Sequence, residues 1–254
     1  MKKPLPVLIS IPHGGTAIPP EIEKDVCISH NDILVDGDTF AAELFDLYGY
    51  AQHIIIARTA RAIVDVNRAF DDFGHDGVVK HTTCYGKPVY DDSKRPGKAT
   101  VQTLLENSYF PYHQQITDSI KQNAAQLKLG IDCHTMAEFA PPVDKKQGQK
   151  RPALCISNCN NTRCPRSILL KVRRCLAQAF SINEEDINVN DTFSGGYIVQ
   201  TYGNNPIPWV QIELNRNLYL EKPAGPDGAV SKNTRKIAEC RRKFQSALEM
   251  FFYK

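Results

Sequence analysis

Four short clusters in this 254-residue chain carry the residue types that do chemistry: Pro12-His13-Gly14-Gly15, Asp36-Gly37-Asp38, Asp132-Cys133-His134 and Gln211-Ile212-Glu213. Each sets an imidazole or a carboxylate beside an apolar, strand-like run. Two histidines and one carboxylate are a usual ligand set for catalytic zinc, with the fourth position left to water. His13 and His134 are the two histidines best placed to supply it. A lone histidine is more often a hydrogen-bonded loop or core residue, but two at strand ends, beside Gly or Asp, favour ligation. Asp132 either orients His134 from the same strand face or bonds a backbone amide. Such a centre also needs a carboxylate that is not a ligand, to take a proton from water and return it to a leaving amine. Glu213 is the candidate, because its neighbours in Val210-Gln211-Ile212-Glu213-Leu214 would raise its pKa by desolvation. The alternative for a Glu in an apolar strand is a buried ion pair, with Arg216 as the partner.

Between Arg58 and Arg68 the run RTARAIVDVNR places Arg58, Arg61, Asn67 and Arg68 around an apolar stretch. Guanidinium binds carboxylate through two parallel hydrogen bonds, so these residues suit an anionic substrate or the oxyanion of a cleaved carbonyl. Arg58 is the weakest member of that set. Gly195-Gly196-Tyr197 is either a turn that lets backbone approach a ligand or a hairpin.

Elements that could position these residues follow from the apolar pattern. Short apolar runs at 7–11, 53–57, 62–66, 154–157 and 209–214 predict strands, and 128–132 leads into Cys133-His134. Helical spacing appears at 38–48, 102–127, 166–180 and 231–252, with Pro111 expected to kink the second. Residues 74–96, rich in Gly, Asp, Lys and Thr, read as a long surface excursion of the type that builds binding sites, and 140–151 as a polar loop. Strands alternating with helices predict an α/β sheet covered on both faces. Ligands of such sheets bind at the carboxyl ends of strands, where His13 and His134 fall.

Composition excludes other classes. With 42% hydrophobic and 23% charged residues the chain is neither disordered nor fibrous, and residues 1–254 read as one domain. A net charge of +3 gives no reason to expect nucleic acid, and a small anionic molecule is the expected partner. The start MKKPLPVLISIPHGG is broken by Pro4, Pro6 and Pro12 and reads as a first strand, not a signal peptide. No stretch approaches the roughly 20 apolar residues a membrane span requires, so a cytoplasmic protein is expected. Nothing in the composition bears on oligomeric state. Eight cysteines occur without a CxxC pair, and Cys155, Cys159 and Cys164 are spaced more widely than paired ligands of a structural zinc site. Most of them are expected to be buried small hydrophobes.

Taken in order, the segments SIPHGGTAIP, DGDTFAAELF, RTARAIVDVNR, PYHQQI, IDCHTM, FSGGYIVQTYG and VQIELNRNLY resemble the N-formylglutamate amidohydrolase family nearly end to end. That family is related to zinc carboxypeptidase and aspartoacylase-like hydrolases. The resemblance implies a three-layer α/β/α sandwich with a mixed, mostly parallel sheet, a phosphorylase/hydrolase-like fold of the zinc exopeptidase type. It also implies one zinc per chain and water attack on the amide of an N-acyl amino acid, foremost N-formyl-L-glutamate. Another N-acyl or peptide substrate, or a non-catalytic binding module on the same fold, are the alternatives. Carried over by position, it makes His13 and His134 metal ligands, Glu213 the general base, and Arg61, Asn67 and Arg68 substrate and oxyanion contacts. Arg216 and Tyr197 are further substrate contacts. The carboxypeptidase-like pattern has a ligand glutamate three residues after the first histidine, where this chain has Thr16. The carboxylate ligand is therefore expected from Asp38, then Asp36, then Glu21. His113, in PYHQQI, matches a family histidine on a helix.

Overall fold

Strand side chains alternate between two faces, and in this protein the alternation separates core from chemistry. The computed structural model describes residues 3–222 and 228–253. Strands β1 (Leu5–Ile11), β2 (Ala51–Ile56), β3 (Leu129–Met136), β4 (Leu154–Ser157), β5 (Ile187–Val189) and β6 (Trp209–Asn215) form one sheet in the order β2-β1-β3-β6-β4-β5. All pairings are parallel except that of β4 with β6. This is the mixed, mostly parallel α/β sheet expected from the sequence.

On one face Val7, Ile9, Ile11, Ile131, Cys133, Val210, Ile212 and Leu214 pack with α2 (Ala41–Leu44), α5 (Arg166–Phe180) and α7 (Thr234–Tyr253). On the other, Leu8 and Trp209 pack with α4 (Phe110–Asn123) and α6 (Tyr197–Tyr202). The polar residues of the strands occupy this second face. Ser10, Asp132, Gln211 and Ser157 lie side by side across four strands, and His134 beside Glu213 forms the next row toward the carboxyl ends. The chain leaves β1 for β2 on one side and later returns as β3 on the other, so the crevice opens at the carboxyl ends of β1 and β3.

Several expected elements differ. Residues 62–66 are a buried turn and not a strand: Ile63 and Val64 donate to Ala60 O, and Asp65 N–H donates to Val78 O. Burial alone made this run apolar, and periodicity cannot tell a buried turn from a short strand. Of 38–48 only Ala41–Leu44 is helical, because Phe40 adopts a left-handed conformation (φ 57°) that breaks the run. The long helix is divided into α3 (Lys98–Leu104), a π-helical stretch Leu105–Tyr109, and α4. Pro111 sits in the first turn of α4, where its missing N–H is tolerated, and the wider π turn takes up the misfit instead of a kink. The 74–96 excursion is partly core, with Val78, Val79, Lys80, Val89 and Tyr90 buried. All eight cysteines are free thiols, and Cys133, Cys155, Cys164, Cys175 and Cys240 are buried as expected. Among the described residues no helix is long and apolar enough to cross a membrane.

Gly130 of β3 lies opposite Trp209 of β6, and a Cβ there would stand 2.2 Å from the indole ring. Trp209 is fully buried between two layers and cannot move aside. Gly130→Ala is expected to destabilise the fold by about 1–3 kcal/mol, read from the denaturant midpoint.

Candidate metal centre

β1 ends at Ile11, and its continuation brings His13 to the mouth of the crevice, where its carbonyl accepts a hydrogen bond from Asp38 N–H. β3 brings His134. The loop after α1 (His30–Asp36) brings Asp38, whose Oδ2 accepts from Thr135 N–H at 3.1 Å. His134 Nδ1 lies 3.0 Å and His13 Nδ1 3.7 Å from the same Oδ2, with the two rings edge-on at 4.8 Å. One ligand atom from each of the three buried residues falls within 4.8 Å of the others.

Each imidazole is held from behind by its other nitrogen. His13 Nε2 donates to Asp65 Oδ1 at 2.7 Å, and His134 Nε2 to Asp132 Oδ2 at 2.9 Å. Both Nδ1 lone pairs therefore point at the shared space, the arrangement in which a carboxylate fixes the tautomer and orientation of a ligand histidine. The electrostatics ask for a cation there. Burial opposes a proton on His134, yet Asp132 and Asp38 outweigh it and raise its pKa well above the ordinary value. Burial likewise works against ionising Asp38, but its bonds with His13 and His134 hold it well below the usual carboxylate range. Two imidazoles and a carboxylate are a donor set that fits zinc, with Asp38 in the place that Thr16 cannot fill. Asp36 and Glu21, the reserve ligands, are not in this group: Asp36 lines the cavity beside it, with Oδ1 accepting from Cys84 N–H at 2.6 Å, and Glu21 is exposed and bonded to Asn107.

Around this centre lies a cavity of about 420 Å³, within the range of small-molecule sites. Glu213 lines it from the strand beside His134. Burial raises its pKa against the pull of His134 and of the hydrogen bond from Gln211 Nε2 to Oε1 at 2.8 Å. Glu213 makes no pair with Arg216. That arginine donates to the carbonyls of Val35 and Gly37 and to Thr135 Oγ1, so it braces the loop carrying Asp38, although it also lines the cavity.

The other expected contacts divide. Arg61 lines the cavity and has two of its five N–H groups engaged, by Asp65 Oδ2 and Asp36 O. Arg68 also lines it, with three engaged by Asp76 and Asn67 O. Asn67 lines the cavity and is also a brace: its Nδ2 reaches Asp132 Oδ2 at 3.4 Å and its Oδ1 accepts from Ile198 N–H at 2.8 Å. Tyr197 is not on the cavity wall; its ring stands edge-on to His113. Arg58 is exposed, and Gly195-Gly196 precedes α6 without forming a hairpin. His113 lies outside the cavity, donating from Nε2 to Val66 O and accepting at Nδ1 from Tyr202 OH, both at 2.9 Å. The cysteine cluster is not part of any metal-holding group among the described residues.

Sequence reasoning missed Asp65 and Lys80. Asp65 was hidden in the apparent strand, where only its place four residues after Arg61 signalled a partner. Lys80, buried, stands 2.7 Å from Asp76 and 3.6 Å from Asp65. Burial would favour neutral Asp65, but His13, Arg61 and Lys80 hold it well below the usual range.

The sequence matches the N-formylglutamate amidohydrolase family over residues 5–220. The chain belongs to that family. It is 24% identical over 233 residues to the N-formylglutamate deformylase of Pseudomonas aeruginosa, covering 87% of this chain and 84% of the relative. Its fold is that of an N-formylglutamate amidohydrolase from Ralstonia eutropha, with a TM-score of 0.81 at 20% identity over 99% of this chain and 95% of the other. A protein from Agrobacterium tumefaciens superposes with a TM-score of 0.69 at 18% identity, over 96% of this chain and 89% of that one.

Asp65→Asn and Asp132→Asn are each expected to weaken zinc binding about 10- to 100-fold in a chelator competition; unchanged affinity in both would show that neither carboxylate acts on its histidine. His113 is half-buried, and the loss of solvent lowers its pKa from 6.5 to about 4. Its folded value lies below the unfolded one, so its contribution to stability is complete above pH 6.5 and lost as pH falls through about 4. The drop in denaturation midpoint across that window should be smaller in His113→Gln than in the wild type.

Proposed function

We propose that this amidohydrolase family member is a zinc enzyme that releases formate from N-formyl-L-glutamate. The observation that carries the reading is the convergence of His13, Asp38 and His134, within 4.8 Å, beside a buried, non-ligating Glu213. The names of the Pseudomonas and Ralstonia relatives supply the substrate.

His13 and His134 through Nδ1, and Asp38 through its carboxylate, would hold the ion. When bound, zinc supplies Lewis acidity, polarising an amide carbonyl and lowering the pKa of water toward roughly 7. Glu213 takes the proton of the attacking water and passes it to the departing nitrogen, so both the C–N cleavage and the neutral amine depend on one carboxylate. Gln211 keeps Oε1 fixed at 2.8 Å and leaves Oε2 to exchange the proton. Arg61, with three N–H groups unengaged, faces the negative charge that grows on the carbonyl oxygen. Arg68 offers its two remaining N–H groups to the α-carboxylate. Asn67 serves by holding Asp132 and Arg68 in place, and Arg216 by holding Asp38.

Zinc content and formate release, measured together before and after chelation, test this reading. About one zinc per chain with chelator-sensitive formate release is expected. Glu213→Gln should keep the zinc and lose about 10²- to 10⁴-fold in kcat, whereas His13→Ala should lose zinc and turnover. Activity retained by both variants would overturn the assignment.

A further inference from the structure

Four arginines line the cavity, and Arg151 is the one whose hydrogen-bonding capacity is least used. Arg216 and Arg68 each have three N–H groups engaged by protein and Arg61 has two, as described above. Arg151 has one, from Nη2 to Asp144 Oδ2 at 2.7 Å. Its side chain is nine-tenths buried, with 10% exposed, and its Nε is buried without any hydrogen-bond partner. Protein acceptors thus use one of its five N–H groups, and the guanidinium keeps capacity for an acceptor in the cavity that it lines.

Its placement is fixed. Arg151 N–H donates to Glu138 O, and its carbonyl accepts from Asn215 Nδ2 at 3.2 Å, at the end of the strand that carries Glu213. The guanidinium lies 5.1 Å from the centre of the Phe193 ring, and Phe193 and Asp144 are themselves on the cavity wall. Aromatic face and carboxylate together hold the planar fork in place at the cavity wall. The sheet order separates it from the other cations: Arg61 and Arg68 follow β2 at one side of the metal centre, and Arg151 precedes β4 at the other.

The geometry points to Arg151 as a specificity-determining residue, the subsite for a second carboxylate on the acyl-amino-acid substrate. It accepts the distal carboxylate while Arg68 holds the one next to the scissile amide, so dicarboxylic substrates span the centre from one cation to the other. This deepens the proposed function and rests on its reading of the cavity as a substrate site.

Binding can be measured without turnover in zinc-loaded protein carrying Glu213→Gln, by calorimetric titration with N-formylglutamate and with N-formylglutamine, the isostere that keeps the α-carboxylate and has a neutral side chain. A preference of roughly 10- to 100-fold for the dicarboxylate is expected. Adding Arg151→Met should collapse that preference to within about threefold while moving the affinity for N-formylglutamine by no more than about threefold. Arg151→Lys, which keeps the charge and loses the fork, should retain part of the preference and decides the matter if the Met variant does not fold. An undiminished preference in the substituted protein, an equal loss for both ligands, or no preference at the outset overturns the subsite. Formate release is scored separately with Glu213 intact. Absent turnover with an Arg151-dependent preference would fault the hydrolase reading alone, and turnover with an Arg151-independent preference would fault the subsite alone.

Discussion

Two buried hydrogen bonds, His13 to Asp65 and His134 to Asp132, set the conditions for everything around them. An imidazole has two nitrogens, and only by pinning Nε2–H on a carboxylate does each ring offer Nδ1 to the shared space beside Asp38. A buried carboxylate is costly unless it is paired or well bonded. Asp132 is satisfied by Ser10 Oγ at 2.8 Å, with Asn67 reaching its other oxygen. Asp65 is satisfied by Arg61, with Asn67 N–H donating at 2.9 Å and Lys80 nearby. The polar residues on this side of the sheet thus form one set of obligations that begins with two imidazoles.

The sheet meets those obligations by register. Parallel pairing puts Ser10 beside Asp132 and His134 beside Glu213, and the period of two sends Ile9, Cys133 and Ile212 into the opposite core. A one-residue slip of β3 would turn both His134 and Asp132 into the core and Cys133 toward the crevice, so core packing and site assembly enforce the same register. β4 and β5, parallel to each other, run opposite to the other four strands, and the reversal comes beyond Glu213, where the loop carrying Arg151 enters.

What was legible in the sequence follows from the range of each interaction. Strand ends and alternation are local, so His13, His134 and Glu213 could be singled out, and Asp38 followed from family resemblance together with Thr16. Charge partners are not local. Arg61 is four residues from Asp65, but Asp65 is tied to His13 across 52 positions, Arg216 reaches Val35 across 181, and neither link leaves a pattern along the chain. For the same reason nothing along the chain signals that Asn67 and Arg216, which line the cavity, also brace Asp132 and the loop carrying Asp38. Arg151 sat in a polar loop whose composition matches any surface connection, and only its burial against Phe193 and the crevice gives it meaning.

The Gly195-Gly196 step shows how one backbone segment joins both halves of the site. Gly195 adopts φ 123°, a conformation that L side chains rarely take, and a Cβ on Gly196 would stand 2.4 Å from the Asn67 amide. Freed of side chains, the segment passes close enough for Gly196 N–H to donate to Gln211 Oε1 at 2.6 Å and for Ile198 N–H to donate to Asn67 Oδ1. Gln211 then holds Glu213, and Asn67 reaches Asp132 behind His134. Glu213, the proposed base, and the brace behind His134 are therefore referenced to the same few backbone atoms. Their separation is set by hydrogen bonds of fixed length, and side-chain packing alone would leave it looser. In the proposed hydrolysis, proton transfer and amide polarisation have to be aligned on one substrate atom pair, and this shared anchor would supply the alignment before substrate arrives.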